Sequence, residues 1–156
     1  MAIYGITGSL ALVANTANQV ICGVVSGTAT TEGTASWLDI TCDAAVPAQG
    51  VKVELFRATG GIPTLTQYTT INRISQDAQN VASGMASAWV PPITATPTGV
   101  TAVKTWYISP AGGLLVQWPL KREFYMPPGT TVWTGVRIST VTGVSPNCAF
   151  NFDWDE

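Results

Sequence analysis

Histidine is absent from this chain, and charged residues make up only 10% of its 156 residues, against about 25% in an ordinary soluble domain. Without histidine, the Ser-His-Asp and Cys-His arrangements of hydrolases cannot form. The sequence also lacks a Gly-x-x-x-x-Gly-Lys-Ser/Thr phosphate loop, a Gly-x-Ser-x-Gly elbow and a dinucleotide-binding glycine pattern. We therefore expect a protein that is not an enzyme and that binds no cofactor.

Positive charge is scarce as well. Lys and Arg together number seven, the formal net charge is −2, and no basic stripe is present that could neutralise phosphates. The composition predicts a protein that binds neither nucleic acid nor anionic membranes. Apolar runs are far shorter than the ~20 residues of a membrane-spanning helix, and the N-terminus lacks signal-peptide features. We expect synthesis in a cytoplasm.

The three cysteines are an odd number at wide spacings. Zinc sites need close Cys or His pairs, and disulfide frameworks need even counts. The favoured interpretation is that Cys22, Cys42 and Cys148 are small buried thiols in a reducing compartment. The alternative is a single Cys22–Cys42 bridge between neighbouring strands.

The nine acidic residues have simpler explanations than a pair of glycosidase carboxylates. Glu54 and Lys52 lie on one strand face, which predicts a surface ion pair between them. Residues 153–156 predict a solvated acidic tail, with a cation held at an oligomer axis as the alternative. No Asp-x-Asp-x-Asp-Gly calcium loop occurs, so we expect no metal site.

Apolar and polar residues alternate along most of the chain, which is the pattern of half-buried strands. Gly and Pro turns separate these segments at short spacings, as is typical of a sandwich or barrel. The clearest strands cover residues 20–26, 34–42, 51–57, 99–109, 113–118, 124–126, 131–138 and 148–154. Residues 3–13 predict one or two edge strands, and the sequence as a whole predicts an all-β fold of eight or nine strands.

Residues 59–98 are the exception to this pattern. A connection this long is usually functional or hides short elements. Residues 77–82 are compatible with a short helix capped by Ser75. No composition shift or repeat marks a second domain, so we expect a single domain over residues 1–156 with a long loop excursion at 59–98.

The strand at 131–138 predicts a division between its two faces. Val136 and Ile138 face the core, whereas Trp133 and Arg137 point away from it. Outward Trp and Arg are enriched at subunit interfaces, so both are candidate interface residues. Trp89 is a third, as an anchor of the long excursion, and a sugar-binding platform built on Trp133 is the alternative.

The first eight residues contain two glycines and predict an extended N-terminal arm. Such an arm can add a strand to a neighbouring subunit. Ile3 and Tyr4 would then be further candidate interface residues.

Five segments together resemble a known family. They are the strand Val51-Lys-Val-Glu-Leu-Phe-Arg57, the Pro-, Ala- and Ser-rich excursion at 59–98, Val116-Gln-Trp-Pro-Leu-Lys-Arg-Glu123, Met126-Pro-Pro-Gly-Thr-Thr-Val-Trp133, and Phe150-Asn-Phe-Asp-Trp154. Their order, from about residue 36 to the end, is similar to that of the small jelly-roll capsid cement or decoration proteins of tailed bacteriophages.

The resemblance implies an antiparallel β-sandwich of the jelly-roll type. It also implies a non-enzymatic virion structural protein that binds the outer capsid surface and stabilises the shell. The expected partner is the major capsid protein, the expected oligomer is a homotrimer, and the expected location is the capsid surface. The alternative is a carbohydrate-binding or receptor-binding β-sandwich module of a phage fibre.

Overall fold

The chain is described by a computed structural model over residues 3–14, 16–26, 32–43, 50–61, 72–73, 85–89, 96–119, 122–129, 131–141 and 143–156. All regular secondary structure in these ranges is β-strand. The strands are β1 (Ile3–Ala11), β2 (Gln19–Ser26), β3 (Gly33–Cys42), β4 (Val51–Ala58), β5 (Asn72–Arg73), β6 (Met85–Trp89), β7 (Thr101–Ile108), β8 (Gly113–Gln117), β9 (Phe124–Met126), β10 (Trp133–Ser139) and β11 (Asn147–Asp155). Over these residues no helix is long and apolar enough to cross a membrane.

The strands form two antiparallel sheets. Sheet A has the order β5-β1-β11-β3-β8, with β9 also paired to β3, and sheet B has the order β6-β2-β10-β4-β7. If the short strands β5, β6 and β9 are set aside, sheet A holds the first, eighth, third and sixth of the remaining strands, and sheet B the second, seventh, fourth and fifth. Strands that follow one another along the chain therefore lie mostly in different sheets.

The core lies between the two sheets, because alternate residues of each strand face inward. Sheet A contributes Leu38 and Phe152, and sheet B contributes Val53, Leu55 and Val136, all of them inaccessible to solvent and packed in one cluster. Each such side chain contributes about 1.5–3 kcal/mol when it leaves water. The predicted antiparallel β-sandwich is confirmed.

The described chain has eleven strands rather than eight or nine. Part of the difference lies in the 59–98 excursion, where β5 pairs with β1 and β6 pairs with β2. The ends of the excursion are joined as well, because Thr59 N donates to Thr98 O at 3.2 Å and Thr98 N donates to Gly60 O at 3.1 Å. The excursion therefore adds an outer strand to each sheet. The helix expected at 77–82 lies outside the described residues.

The N-terminal segment is not the free arm that the sequence predicts. Residues 3–11 form β1, which pairs along its whole length with β11 of the same chain. Tyr4 and Ile6 are buried in the core. The reason is their alternation with glycine and threonine, which suits a strand with one buried face.

The cysteines also differ from expectation. Cys42 in β3 and Cys148 in β11 lie directly opposite each other and form a disulfide, with their Cα atoms 4.2 Å apart. Cys22 is a free, buried cysteine, and burial raises the pKa of its thiol to about 12. The expectation of three free thiols is wrong. The Cys22–Cys42 alternative is wrong because β2 and β3 follow each other in sequence but lie in different sheets.

Candidate functional site

Trp133 lies on the predicted face of β10 but is not exposed. It is on the opposite face from Val136, yet only 1% of its surface is accessible. Its ring meets Phe56 edge to face at 5.0 Å, and its Nε1 donates to the Gly60 carbonyl at 3.0 Å. The outer face of sheet B carries a second apolar cluster here, so Trp133 cannot act as an exposed interface residue or sugar platform in this chain.

Arg137 is engaged within sheet B. Its Nε donates to Glu54 Oε2 at 2.9 Å, and its guanidinium lies 5.5 Å from the centre of the Phe56 ring. Lys52 Nζ lies 3.2 Å from the other carboxylate oxygen of Glu54. The predicted ion pair of Glu54 with Lys52 is present; Glu54 itself is buried, whereas Lys52 keeps 33% of its side chain exposed. Removing Glu54 would leave Arg137 and Lys52 without their shared counterion.

The remaining predicted interface residues are dispersed. Trp89 ends β6 in sheet B. Tyr4 is buried in sheet A and stacks on Trp154, with ring centres 6.1 Å apart. Ile3 is half-buried at the start of β1. The predicted residues are therefore divided between the two sheets and do not form one surface.

A groove of about 520 Å³ opens at the other side of the sandwich, between β7 and β8. This volume is within the range of about 300–1,000 Å³ that is typical of small-molecule sites. We call it the β7–β8 groove. It is lined by Lys104, Trp106, Val116, Trp118, Arg122, Glu123 and Phe124.

The groove exists because β7 and β8 are the outermost described strands of their sheets at this side. Trp106 is paired with the core residue Val53, and Val116 with the core residue Leu38, so both point toward the sandwich interior. At the outermost strand, an inward side chain has core on one side and solvent on the other. Trp106, Val116 and Trp118 are accordingly half-buried.

The segment after β8 brings two further aromatic residues, Trp118 and Phe124, to the groove. Trp118 N donates to Ser36 O at 3.1 Å, which keeps Trp118 beside β3. Arg122 N then donates to Pro119 O at 2.9 Å, and the chain rejoins the edge of β3 as β9, which runs along β3 in the same direction as β8. Phe124 opens β9 and thereby lies next to both tryptophans along the groove.

Arg57 contacts both the Phe124 ring and the backbone of β9. Its Nη2 donates to the Tyr125 carbonyl at 2.6 Å, and its guanidinium lies 5.2 Å from the centre of the Phe124 ring. Tyr125 in turn donates its hydroxyl to Glu32 at 2.7 Å. Arg57 belongs to sheet B and Phe124 to sheet A, so this contact ties the two sheets together at the groove.

The groove carries charge of both signs. Lys104 and Arg122 are exposed, and Glu123 is half-buried. None of the three side chains forms an ion pair or a hydrogen bond with another described residue. A charged residue that points inward from an outer strand also discourages pairing with a further strand, and Lys104 meets that description. Among the described residues, the three charges have no counterion, although Glu123 acts electrostatically on Asp155.

The outward faces of the same strands expose apolar residues. Tyr107 of β7 is 76% exposed and Leu115 of β8 is 63% exposed, and Val103 of β7 is exposed to a smaller extent. These side chains flank the β7–β8 groove on the two outer faces of the sandwich. We call Val103, Tyr107 and Leu115 the apolar margin.

The C-terminal acids lie on a sheet face rather than in a solvated tail. Asp153 and Asp155 belong to β11, which is flanked by β1 and β3 in sheet A. Burial raises the pKa of the Asp153 carboxyl to about 6, against the opposing hydrogen bond from Asn151, and burial also raises the pKa of Asp155. Within the described ranges, no group of three or more metal-ligating side chains is present.

The sequence patterns did not predict that Trp106 and Trp118 line one groove. A signal was available, because the two tryptophans flank a short connection in which Gly112 N donates to Ser109 O at 3.0 Å. A tight turn between inward-facing aromatic positions brings those positions together. What the sequence did not reveal is that the turn crosses from sheet B to sheet A.

Comparison of the chain with protein-family models, with curated proteins and with solved structures finds no match. The function is therefore argued from the fold, the groove and the apolar margin.

Proposed function

We propose that the protein is a non-enzymatic virion structural protein, a capsid decoration protein that binds the outer surface of the shell and stabilises it. The apolar margin carries the proposal. Tyr107 and Leu115 are 76% and 63% exposed on strands that, among the described residues, pair on one side only. The major capsid protein is the partner that covers this margin.

Sheet edges are normally protected by charge, proline or a covering segment. At the opposite side of this sandwich, β5 pairs with Tyr4 and Gly5 of β1, and β6 pairs with residues 23–26 of β2, so part of each edge is covered. The β7–β8 side has Lys104 as its inward charge but presents apolar side chains outward. Burying Tyr107 or Leu115 completely would contribute about 1.5–3 kcal/mol each to an interface.

The low charge of the chain also suits a role in assembly. Charged residues are depleted in the cores of protein interfaces, because desolvating them is costly. Only 10% of this chain is charged. A shell protein built from such a surface loses little solvation energy when it docks.

The disulfide is compatible with a location on the virion. Disulfides persist in oxidising surroundings, which include virion surfaces, and are rare in a reducing cytosol. The Cys42–Cys148 bridge joins residues 106 positions apart, so it constrains most of the chain. A protein made in a host cytoplasm would complete this bridge after release.

Binding to shells tests the proposal. Shells of the virus that encodes the chain, assembled without this protein, are mixed with the wild type or with the double variant Tyr107→Ser, Leu115→Ser. We expect the wild type to sediment with shells and the double variant to remain in the supernatant. Val13→Ser is the matched control, since Val13 is also 63% exposed but lies after β1, outside the apolar margin.

Equal binding by the double variant and the wild type would contradict the proposed contact. Light scattering on the purified protein tests the oligomeric state separately, and the resemblance to decoration proteins leads us to expect a homotrimer. A monomer at micromolar concentration would contradict that part of the proposal alone.

The β7–β8 groove favours a second candidate, a carbohydrate-binding or receptor-binding module of a phage fibre. Trp106, Trp118 and Phe124 supply three aromatic side chains in one groove of ligand size. This observation replaces the platform on Trp133, which is buried.

A further inference from the structure

We propose that the β7–β8 groove is a binding site for a neutral pyranose sugar, as a terminal residue of an oligosaccharide. This goes beyond shell binding and gives the second candidate function a ligand class. The juxtaposition that carries it is three half-buried aromatic side chains in a single groove with two cations and one carboxylate that form no ion pair with another residue in the described part of the chain.

The aromatic side chains supply the apolar part of the site. Trp106, Trp118 and Phe124 each keep part of their ring accessible from the groove, unlike Trp133 and Trp154, which are almost fully buried. A pyranose ring has a face of C–H bonds that can leave water against an aromatic ring. Aromatic side chains suit this role because they offer a large, rigid area at a low cost in conformational entropy.

The three charged side chains determine which hydrogen-bonding groups a ligand must carry. Lys104 and Arg122 can only donate hydrogen bonds, whereas the carboxylate of Glu123 can only accept them. A ligand that satisfies all three must offer both acceptors and donors around an apolar face. Sugar hydroxyl groups do both, which identifies a neutral polyol ring as the complementary chemistry.

Other ligands leave part of the groove unsatisfied. A phosphate or sulfate group offers acceptors to Lys104 and Arg122 but is repelled by Glu123. A purely apolar ligand would desolvate three charges without giving them partners, which is costly. A nucleotide could stack on the indoles, yet its phosphate meets the same repulsion. The mixed charge therefore favours a neutral sugar over the other ligands of similar size.

The groove is also formed before any ligand arrives. Arg57 holds the Phe124 ring and the β9 backbone through the contacts at 5.2 Å and 2.6 Å. The Trp118 backbone is bonded to Ser36 of β3. A site that is already ordered loses less entropy on binding than one that must form.

Saturation-transfer NMR on the full chain tests the site. The probes are methyl glycosides of neutral hexoses with maltose, cellobiose, lactose and mannobiose, alongside sialyllactose and adenosine monophosphate. We expect at least one neutral sugar to receive saturation at its ring C–H protons. Trp118→Ala and Trp106→Ala should weaken its binding about fivefold or more, since the weakest stacking contacts of flat rings on aromatic side chains are worth about that factor.

Tyr107→Ala is the matched control, because Tyr107 follows Trp106 in β7 but points to the outer face, away from the groove. It should leave sugar binding unchanged. The charge variants Glu123→Ala and Lys104→Ala remove no buried aromatic ring and should also weaken binding. They test the site if a tryptophan variant fails to fold.

Three results would overturn the proposal. They are no binding of any neutral sugar at millimolar concentration, binding of only sialyllactose or the nucleotide, and groove variants that bind as tightly as Tyr107→Ala. Because shell binding is tested with Tyr107 and Leu115, and sugar binding with residues inside the groove, either proposal can fail while the other stands.

Discussion

At one side of the sandwich, the 59–98 segment covers β1 and β2 with β5 and β6, whereas at the other side β7 and β8 are the outermost described strands. The tryptophans differ in exposure as well. In β10, the middle strand of sheet B, Trp133 packs against Phe56 and Gly23 on the outer face. Between β7 and β8, Trp106 and Trp118 stay half-exposed.

The contrast separates the tryptophans that stabilise the fold from those available to a ligand or partner. A tryptophan enclosed on all sides contributes its whole surface to stability. One that lines an open groove keeps part of its surface for another molecule. The exposure of a side chain, more than its residue type or its place on a strand face, decides which role it can have.

The largest expected effect on stability comes from the fully enclosed tryptophan, Trp133. Trp133→Ala removes a fully enclosed side chain and should lower the free energy of unfolding by about 3–5 kcal/mol. Trp118→Ala should cost about half as much, because Trp118 is only half-buried. Urea unfolding of both variants measures the difference. Equal losses would contradict the division of the tryptophans into two groups.

The disulfide joins two neighbouring strands of sheet A, each of which pairs with a strand at one side of the sandwich. It links β11, which pairs with β1, to β3, which pairs with β8. Replacing Cys42 and Cys148 together by alanine should lower the free energy of unfolding by about 2–4 kcal/mol, because the unfolded chain is no longer cross-linked. Cys22→Ala removes a thiol without removing a cross-link and should cost about 1 kcal/mol. A double variant as stable as Cys22→Ala would refute this role of the bridge.

A substitution at Gly23 tests how tightly the Trp133 ring is packed against β2. A Cβ atom at Gly23 would lie 2.6 Å from the Trp133 ring, so Gly23→Ala should cost about 1–3 kcal/mol through overpacking. In the Trp133→Ala background the obstacle is absent and the cost should largely disappear. A double-mutant cycle measures this coupling, which we expect to be about 1 kcal/mol or more. Additive effects would mean that the ring moves aside.

The smallest expected effect concerns pH. The pKa of Asp153 is raised from 3.8 to about 6 by burial, so the folded protein holds this proton more tightly than the unfolded chain. The resulting stability is complete below pH 3.8 and is lost as the pH rises through about 6. Asp153→Asn should therefore melt at a higher temperature than the wild type at neutral pH but not at acidic pH.

Asp39→Asn serves as the control for this measurement. It removes a carboxylate from β3 opposite Asn151, on the same face of sheet A as Asp153. Thermal melting of the wild type and both variants across the acidic range provides the comparison. If Asp153→Asn and the wild type keep the same difference at every pH, burial does not control the titration of Asp153.

Local patterns in the sequence were sufficient for the strands and their faces. The alternation in β10 correctly separated Val136 from Trp133, and the alternation in β4 correctly placed Val53 and Leu55 inward. These features depend only on the period of two of a strand. They do not indicate what covers a face, which is why Trp133 was expected to be exposed.

The same local patterns do not predict which distant strands pair with each other. The opposition of Cys42 and Cys148 depends on the register of β3 against β11, strands that are far apart in sequence. The groove depends on which strands end each sheet, and β5 and β6 emerged from a segment without a clear strand pattern. Sheet order is decided by the sum of many contacts across the core, so no short segment encodes it.

Hydrogen–deuterium exchange, measured on the protein alone and on the protein bound to shells, tests most directly whether the β7–β8 side is the functional one. We expect the amides of β7 and β8 to exchange more slowly in the bound protein, while those of β1 and β2 keep the same rates. Protection confined to β1 and β2, or no change in β7 and β8, would contradict it.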